Sequence, residues 1–235
     1  MVMGTSMANT TTIKVMASAA FKEAYLELVP EFERATGHEV VTLWVPTVEM
    51  MRRLAGGETV DLVIMAAASI DELIKLGKLV AGSRVDLATS GVGVAVRAGA
   101  PKPDISSGAA LKRALRAARS ITYSTGPSGV YLVGLFERMG IADELKPRIS
   151  VIKGEPVGAV VARGEAEIGF QQVCELLPVS GIDLVGPLPA DVQKITTFAA
   201  ALHVGARAPS AARALIGFLS APAAAPIIRK KGMIP

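Results

Sequence analysis

Apolar and polar positions change period along this chain in a regular order. Ile13-Lys14-Val15-Met16 reads as a short strand. Phe21, Ala24, Tyr25, Leu28, Val29 and Phe32 then fall at helical spacing on one face, and Gly37 ends that helix. Val40–Val45 predicts a second strand and Thr47–Leu54 a second helix, stopped by Gly56-Gly57. Asp61–Met65 is apolar on both faces, as a buried parallel strand should be, and Ile70, Leu73 and Ile74 mark a helix closed by Gly77. A β-α-β-α-β-α order predicts a parallel sheet covered by helices on both faces.

The pattern then repeats. Val92–Val96 is a strand, Ser106-Ser107 can cap a helix over Ala109–Arg119, and Ile121–Ser124 is the next strand. A helix runs from Pro127-Ser128-Gly129 to Met139, and strands at Ile149–Ile152 and Glu167–Gln171 flank a helix at Val157–Arg163. Gly181–Val185 and Thr196–Val204 read as strands, and Ala211–Leu219 and Ala223–Lys231 as closing helices. The long uncharged strand Leu87–Val96 lies between the two runs, and Thr196–Val204 follows the second. Two crossover strands would join two α/β lobes and send the last helices back to the first. We therefore expect a discontinuous lobe over 12–87 and 200–235 and a second lobe over 88–199, with a ligand cleft between them.

Composition narrows the function. Of 235 residues, 51% are apolar and 20% charged, which excludes a disordered chain. One cysteine and two histidines, His38 and His203, exclude a disulfide framework and a multi-cysteine zinc site. We expect neither a metal nor another cofactor. A surplus of +4 with scattered Lys and Arg, and 4% aromatics, argue against nucleic acid as a partner. The longest uncharged run, Ser120–Phe136, is rich in Ser, Thr, Gly and Pro, and Ala214–Ile228 is broken by Pro222 and Pro226, so stable membrane insertion is not expected. The opening MVMGTSMANTTT has no basic n-region and no apolar h-region. Residues 1–10 are excluded from the fold as disordered or foreign to the natural chain. The expected location is periplasmic if a leader was removed and cytoplasmic otherwise, and the expected state is a monomer.

Candidate chemistry gathers at strand-to-helix turns. In a parallel sheet these sit at the carboxyl ends of the strands, where helix N-termini favour negative charge. The turns are Ala17-Ser18-Ala19-Ala20, Val45-Pro46-Thr47, Gly126-Pro127-Ser128-Gly129 and Gly154-Glu155-Pro156-Val157. Their hydroxyls and N–H groups suit a small oxyanion held without a countercharge, because no Lys or Arg lies within them. Ala66-Ala67-Ala68 either packs tightly or leaves cavity room. Gln172 either points an amide into the cleft or is a surface amide. Cys174 reads as a buried inert thiol, His203 as a core histidine, and Glu155 and Glu175 as solvated surface charges.

From about Thr12 the chain resembles the periplasmic molybdate-binding proteins of ABC importers. The resemblance is carried by Ile13-Lys-Val-Met-Ala-Ser-Ala-Ala, Ala55-Gly-Gly-Glu-Thr-Val-Asp-Leu-Val-Ile, Gly126-Pro-Ser-Gly-Val-Tyr131, Arg163-Gly-Glu-Ala-Glu-Ile-Gly-Phe170 and the ending from Phe218 to Met233. It implies a two-lobed type II periplasmic-binding fold, two mixed or parallel sheets joined by two crossover strands, and an ABC permease as partner. It also implies a small anionic ligand held by Ser18, Ala19, Thr47, Ala66, Ser128, Gly129, Val130, Pro156, Val157 and Gln172. The family's first-turn serine aligns with Ala20, its second-turn serine cluster with Pro46-Thr47-Val48, and its tyrosine with Gln172. These departures point to a divergent branch, and the expected ligand is a molybdate-like oxyanion or another small anion such as a carboxylate. No catalytic residue is assigned. Two alternatives stay open: an isomerase of the aconitate isomerase type, since those enzymes are similar to this superfamily, and a cytoplasmic anion-sensing domain.

Overall fold

The computed structural model describes residues 10–235, so all of the segment 1–10 but Thr10 lies outside the described residues. The first βα run is β1 (Thr12–Ala17), a 3-10 turn at Ala19–Phe21, α1 (Lys22–Thr36), β2 (Glu39–Trp44), α2 (Thr47–Ala55), β3 (Leu62–Ala66) and α3 (Ala67–Lys75). Gly37 takes the left-handed conformation that ends α1. β4 (Val85–Arg97) leads into α4 (Gly108–Ala117), whose first turn is capped by Ser107 Oγ accepting from Ala110 N–H at 3.1 Å. The second run continues with β5 (Ile121–Ser124), α5 (Pro127–Arg138), α6 (Ala142–Leu145), β6 (Ile149–Ile152), α7 (Val157–Ala162), β7 (Ile168–Gln172), α8 (Val173–Leu176) and β8 (Ile182–Pro187). β9 (Ile195–Leu202), α9 (Pro209–Leu219) and α10 (Ala225–Lys230) close the chain. The short helices α6 and α8 escape periodicity, because one turn is too short to show a period.

The strands run in the order β2-β1-β3-β9-β4-β7-β5-β6, with β8 also on β4. β1 pairs in parallel with β2 and β3, and β5 in parallel with β6 and β7. The antiparallel strands β9 and β4 lie between these two parallel sets. β4 changes partners along its length. Val85–Gly91 pairs with β9, whereas Val92 onward pairs with β7, and Gly93–Arg97 with β8. The exchange falls between Gly91 and Val92, beyond the expected 87/88 boundary, and β9 pairs with β4 from Ile195 and with β3 from Phe198.

β3 shows how the first half is built. Leu62 and Ile64 point into a core with Phe21, Leu28, Phe32 and Leu215, while Val63 and Met65 point into another with Met16, Met50 and Leu73. That is a strand with helices on both faces. The second half packs Leu111, Leu132, Phe136 and Phe170 together. α9 and α10 return to pack on α1, and Ile234 exchanges both backbone hydrogen bonds with Thr89 of β4, at 2.7 and 2.9 Å. No single helix among the described residues is long and apolar enough to cross a membrane; α9 and α10 pass together only as a bent pair, and Ala212, Leu215, Leu219 and Ile228 are buried in the core.

Two residues set the positions of elements around the cleft. Asp61 is buried just ahead of β3. Its Oδ2 accepts from Lys14 N–H at 2.8 Å, and its Oδ1 from Arg207 and Ala208 N–H at 2.6 and 2.8 Å, just ahead of α9. Gly129 lets α5 sit on the end of β5, since a Cβ there would lie 1.7 Å from Ser124 O. Asp61→Ala strips three N–H groups of their acceptor and should cost on the order of 3 kcal/mol in urea unfolding. Gly129→Ala should cost about 1–3 kcal/mol or more through overpacking, read in the same way.

Candidate functional site

The four strand-to-helix turns open onto one cleft. It has a volume of ≈ 340 Å³ and is lined by Ser18, Ala19, Trp44, Thr47, Ser124–Pro127, Ile152, Gly154–Pro156, Gln171 and Glu175, among others. The volume falls within the range of about 300–1,000 Å³ usual for small-molecule sites. Helix starts supply donors. In α2 the first helical bond is Met50 N–H to Pro46 O, so the helix itself does not use the N–H groups of Thr47, Val48 and Glu49. In α5 the corresponding bond is Val130 N–H to Gly126 O, which leaves those of Ser128 and Gly129.

Of the residues expected to hold a ligand, Ser18, Ala19, Thr47 and Pro156 line the cleft. Ala66, Ser128, Gly129, Val130, Val157 and Gln172 do not. Ala66 and Val157 are buried as the residues at which β3 ends and α7 begins, whereas Val130 is 70% exposed. Ser128 is buried, and its Oγ has no hydrogen-bond partner among the described residues.

Gln172 departs most from expectation. It is fully buried, and its amide, oriented to satisfy every neighbour, donates to Ser90 O at 2.9 Å and Gly91 O at 3.1 Å and accepts from Thr196 Oγ1 at 3.1 Å. It therefore clamps the point where β4 changes partners. Gln193 grips the next residue, accepting from Val92 N–H at 2.9 Å and donating to Val92 O at 3.0 Å. The neighbour of Gln172 supplies the cleft instead. Pleating turns successive side chains to opposite faces, and Gln171 reaches the cleft wall. There its Oε1 accepts from Val157 N–H at 3.0 Å, and its Nε2 donates to Glu175 Oε1 at 2.9 Å.

Charge in the cleft also differs from the expectation of neutral donors alone. Lys22, the first residue of α1, lines it, with Nζ 5.4 Å from the centroid of the Trp44 ring, a cation–π geometry. The signal for Lys22 was present in the sequence, four residues after Ser18 at a helix start. Glu155 is an exposed charge, as expected, and its carboxylate pairs with Arg163 at 3.0 Å. Glu175 is not a solvated charge. Its carboxyl opens onto the cleft but is otherwise enclosed, and this desolvation raises its pKa from 4.5 to about 7 against the opposing bonds from Gln171 and the Gln172 backbone. Cys174 and His203 are buried, as expected.

The family model of bacterial extracellular solute-binding proteins matches residues 13–234. The chain belongs to that family. It is 42% identical over 231 residues to an aconitate isomerase from a Pseudomonas species, a match covering 96% of this chain and 88% of that protein. It is 29% identical over 233 residues to the molybdate-binding protein ModA of Azotobacter vinelandii, covering 94% of this chain and 88% of that one. The solved Azotobacter vinelandii periplasmic molybdate-binding protein superposes with a TM-score of 0.78 at 21% identity, over 95% of this chain and 99% of that one. The fold is that of a type II periplasmic-binding protein.

Burial pushes the Cys174 thiol up to about 12. A disulfide reagent at pH 8 should therefore leave the native protein unmodified and label one thiol per chain once urea unfolds it. Glu175 makes stability fall as pH rises. The native state keeps the proton up to about 7, while the unfolded chain releases it near 4.5. Its contribution is complete below pH 4.5 and lost as pH passes through 7. Glu175→Gln should flatten the pH dependence of the melting temperature between pH 5 and 8.

Proposed function

We propose that this solute-binding protein holds a small, multiply charged oxygen anion, a carboxylate in preference to a tetrahedral oxyanion, in the cleft and presents it to an ABC permease outside the cytoplasm. One observation carries the reading: four turns separated by up to 139 positions, from Ala17 to Pro156, meet at one cleft with helix starts around it and Lys22 beside it. Neutral N–H and hydroxyl donors bind charge without preventing release, and Lys22 adds a countercharge. The departures from the molybdate-binding pattern at Ala20, Thr47 and Gln172, and the room in the cleft, favour an organic anion. The pairing change in β4 at Gly91–Val92, clamped by Gln172 and Gln193, would serve as the hinge between the lobes.

Thermal-shift and calorimetric titrations with molybdate, tungstate, sulfate, citrate, tricarballylate and trans-aconitate test this reading. The expected result is binding of a di- or tricarboxylate and a higher melting temperature. Lys22→Ala should weaken that binding roughly 10- to 100-fold, the ~1.5–3 kcal/mol of a hydrogen bond to a charged group. Stabilisation by cations or sugars with no anion effective would overturn the anion site. Micromolar molybdate binding would overturn the preference for carboxylates.

The 42% identity to an aconitate isomerase over 96% of the chain favours a second reading, in which the bound tricarboxylate is also isomerised. Proton NMR of trans-aconitate with the protein in D₂O separates the two readings. Appearance of the cis isomer establishes catalysis, and an unchanged spectrum in the presence of binding establishes capture alone.

A further inference from the structure

Glu175 is a carboxyl group in a cleft built for anions. The charged or titratable groups lining the cleft beside it are Lys22 and Glu23 at the start of α1, Glu155 ahead of α7, and Cys174. Glu155 is occupied by Arg163, and Lys22 lies over Trp44. On the strands and helix packed against α8, β7 and α7 carry no charged residue, while Asp86 and Arg97 of β4 and Asp183 of β8 lie outside the cleft lining. Among the described residues, the groups that lower the proton affinity of Glu175 are the Gln171 amide and the Gln172 backbone, and no cation is among them. Gln171 cannot turn away, because its Oε1 is held by Val157 N–H at the start of α7.

An ionised carboxylate here would face the oxygens of an anion bound in the cleft across a short gap. Two negative oxygens cannot share such a gap without a proton between them. A neutral acid removes the conflict and supplies an O–H donor: the carboxyl already accepts from the Gln171 amide and the Gln172 backbone, and the O–H gained on protonation is what it can offer the ligand. We propose that Glu175 meets the bound anion as a neutral carboxylic acid, donating its O–H to a ligand oxygen, so that binding takes up a proton in alkaline solution. The proposal rests on the anion-binding reading. It goes beyond it by making Glu175 a residue that selects for a proton-accepting oxygen at one end of the cleft. It holds whether the anion is captured alone or also isomerised.

Isothermal titration of trans-aconitate or citrate near pH 8, in buffers of low and high ionisation enthalpy, counts the protons taken up. The ligand is fully ionised there, so uptake belongs to the protein. The expected result is uptake approaching one proton per ligand, with affinity falling up to tenfold per pH unit above neutrality. Glu175→Gln keeps an N–H donor at the same place, and it should bind with pH-independent affinity near that of the wild type at pH 6, with no proton uptake. Wild-type binding without uptake near pH 8, or with affinity that rises with pH, overturns the proposal and leaves the anion site standing. Failure of the wild type to bind any of the anions overturns the anion-binding reading itself. The wild-type measurement decides the matter even if the variant folds poorly.

Discussion

The join between the two parallel sets rests on the middle of β4. Up to Gly91 the strand belongs to the sheet of the first half, and from Val92 it belongs to the second. A strand that changes partners leaves backbone groups at the exchange that neither ladder serves in full, and buried groups of that kind must find partners. Gln172 and Gln193 provide them, one on Ser90 and Gly91, the other on Val92. Packing is tight here: a Cβ on Gly91 would lie 3.0 Å from the Gln193 amide nitrogen. These contacts fix where the second parallel set stands relative to the first, and so fix the cleft.

The cleft uses the geometry of parallel strands and little else. β1, β2, β5 and β6 all end at it, and a helix starts after each of the turns that follow β1, β2 and β5. Side-chain charge then tunes a site that the backbone has already biased toward anions. Lys22 adds attraction, Glu155 is neutralised by Arg163, and Glu175 is set apart by enclosure. Gln171 links the two kinds of contribution, because one amide caps α7 and anchors Glu175.

The elements were largely legible in the sequence because local spacing determines them. Phe21, Leu28 and Phe32 could only share a face if Lys22–Thr36 were helical, and the uniformly apolar β3 could only be a strand covered on both sides. The turns carrying Ser18, Thr47 and Pro156 were legible for the same reason: they are the punctuation between such elements. The roles of Gln171, Gln172 and Glu175 were not. Gln171 and Gln172 are the same residue type at adjacent positions, and only the pleat, set by pairing with β4 and β5, decides which amide meets the cleft and which the strand exchange.

The sequence by itself determined the order of strands and helices, the two runs of βα units, the small and hydroxyl character of the turns, and the inert burial of Cys174 and His203. Periodicity, glycine stops and composition act over a few residues and need no knowledge of the rest of the chain. Only the tertiary structure decided that Lys22 flanks the anion cleft, that Glu175 is enclosed there, and that Gln172 belongs to the strand exchange. The cleft is enclosed by segments more than a hundred positions apart, and their contact is settled by how β4 and β9 join the two parallel sets.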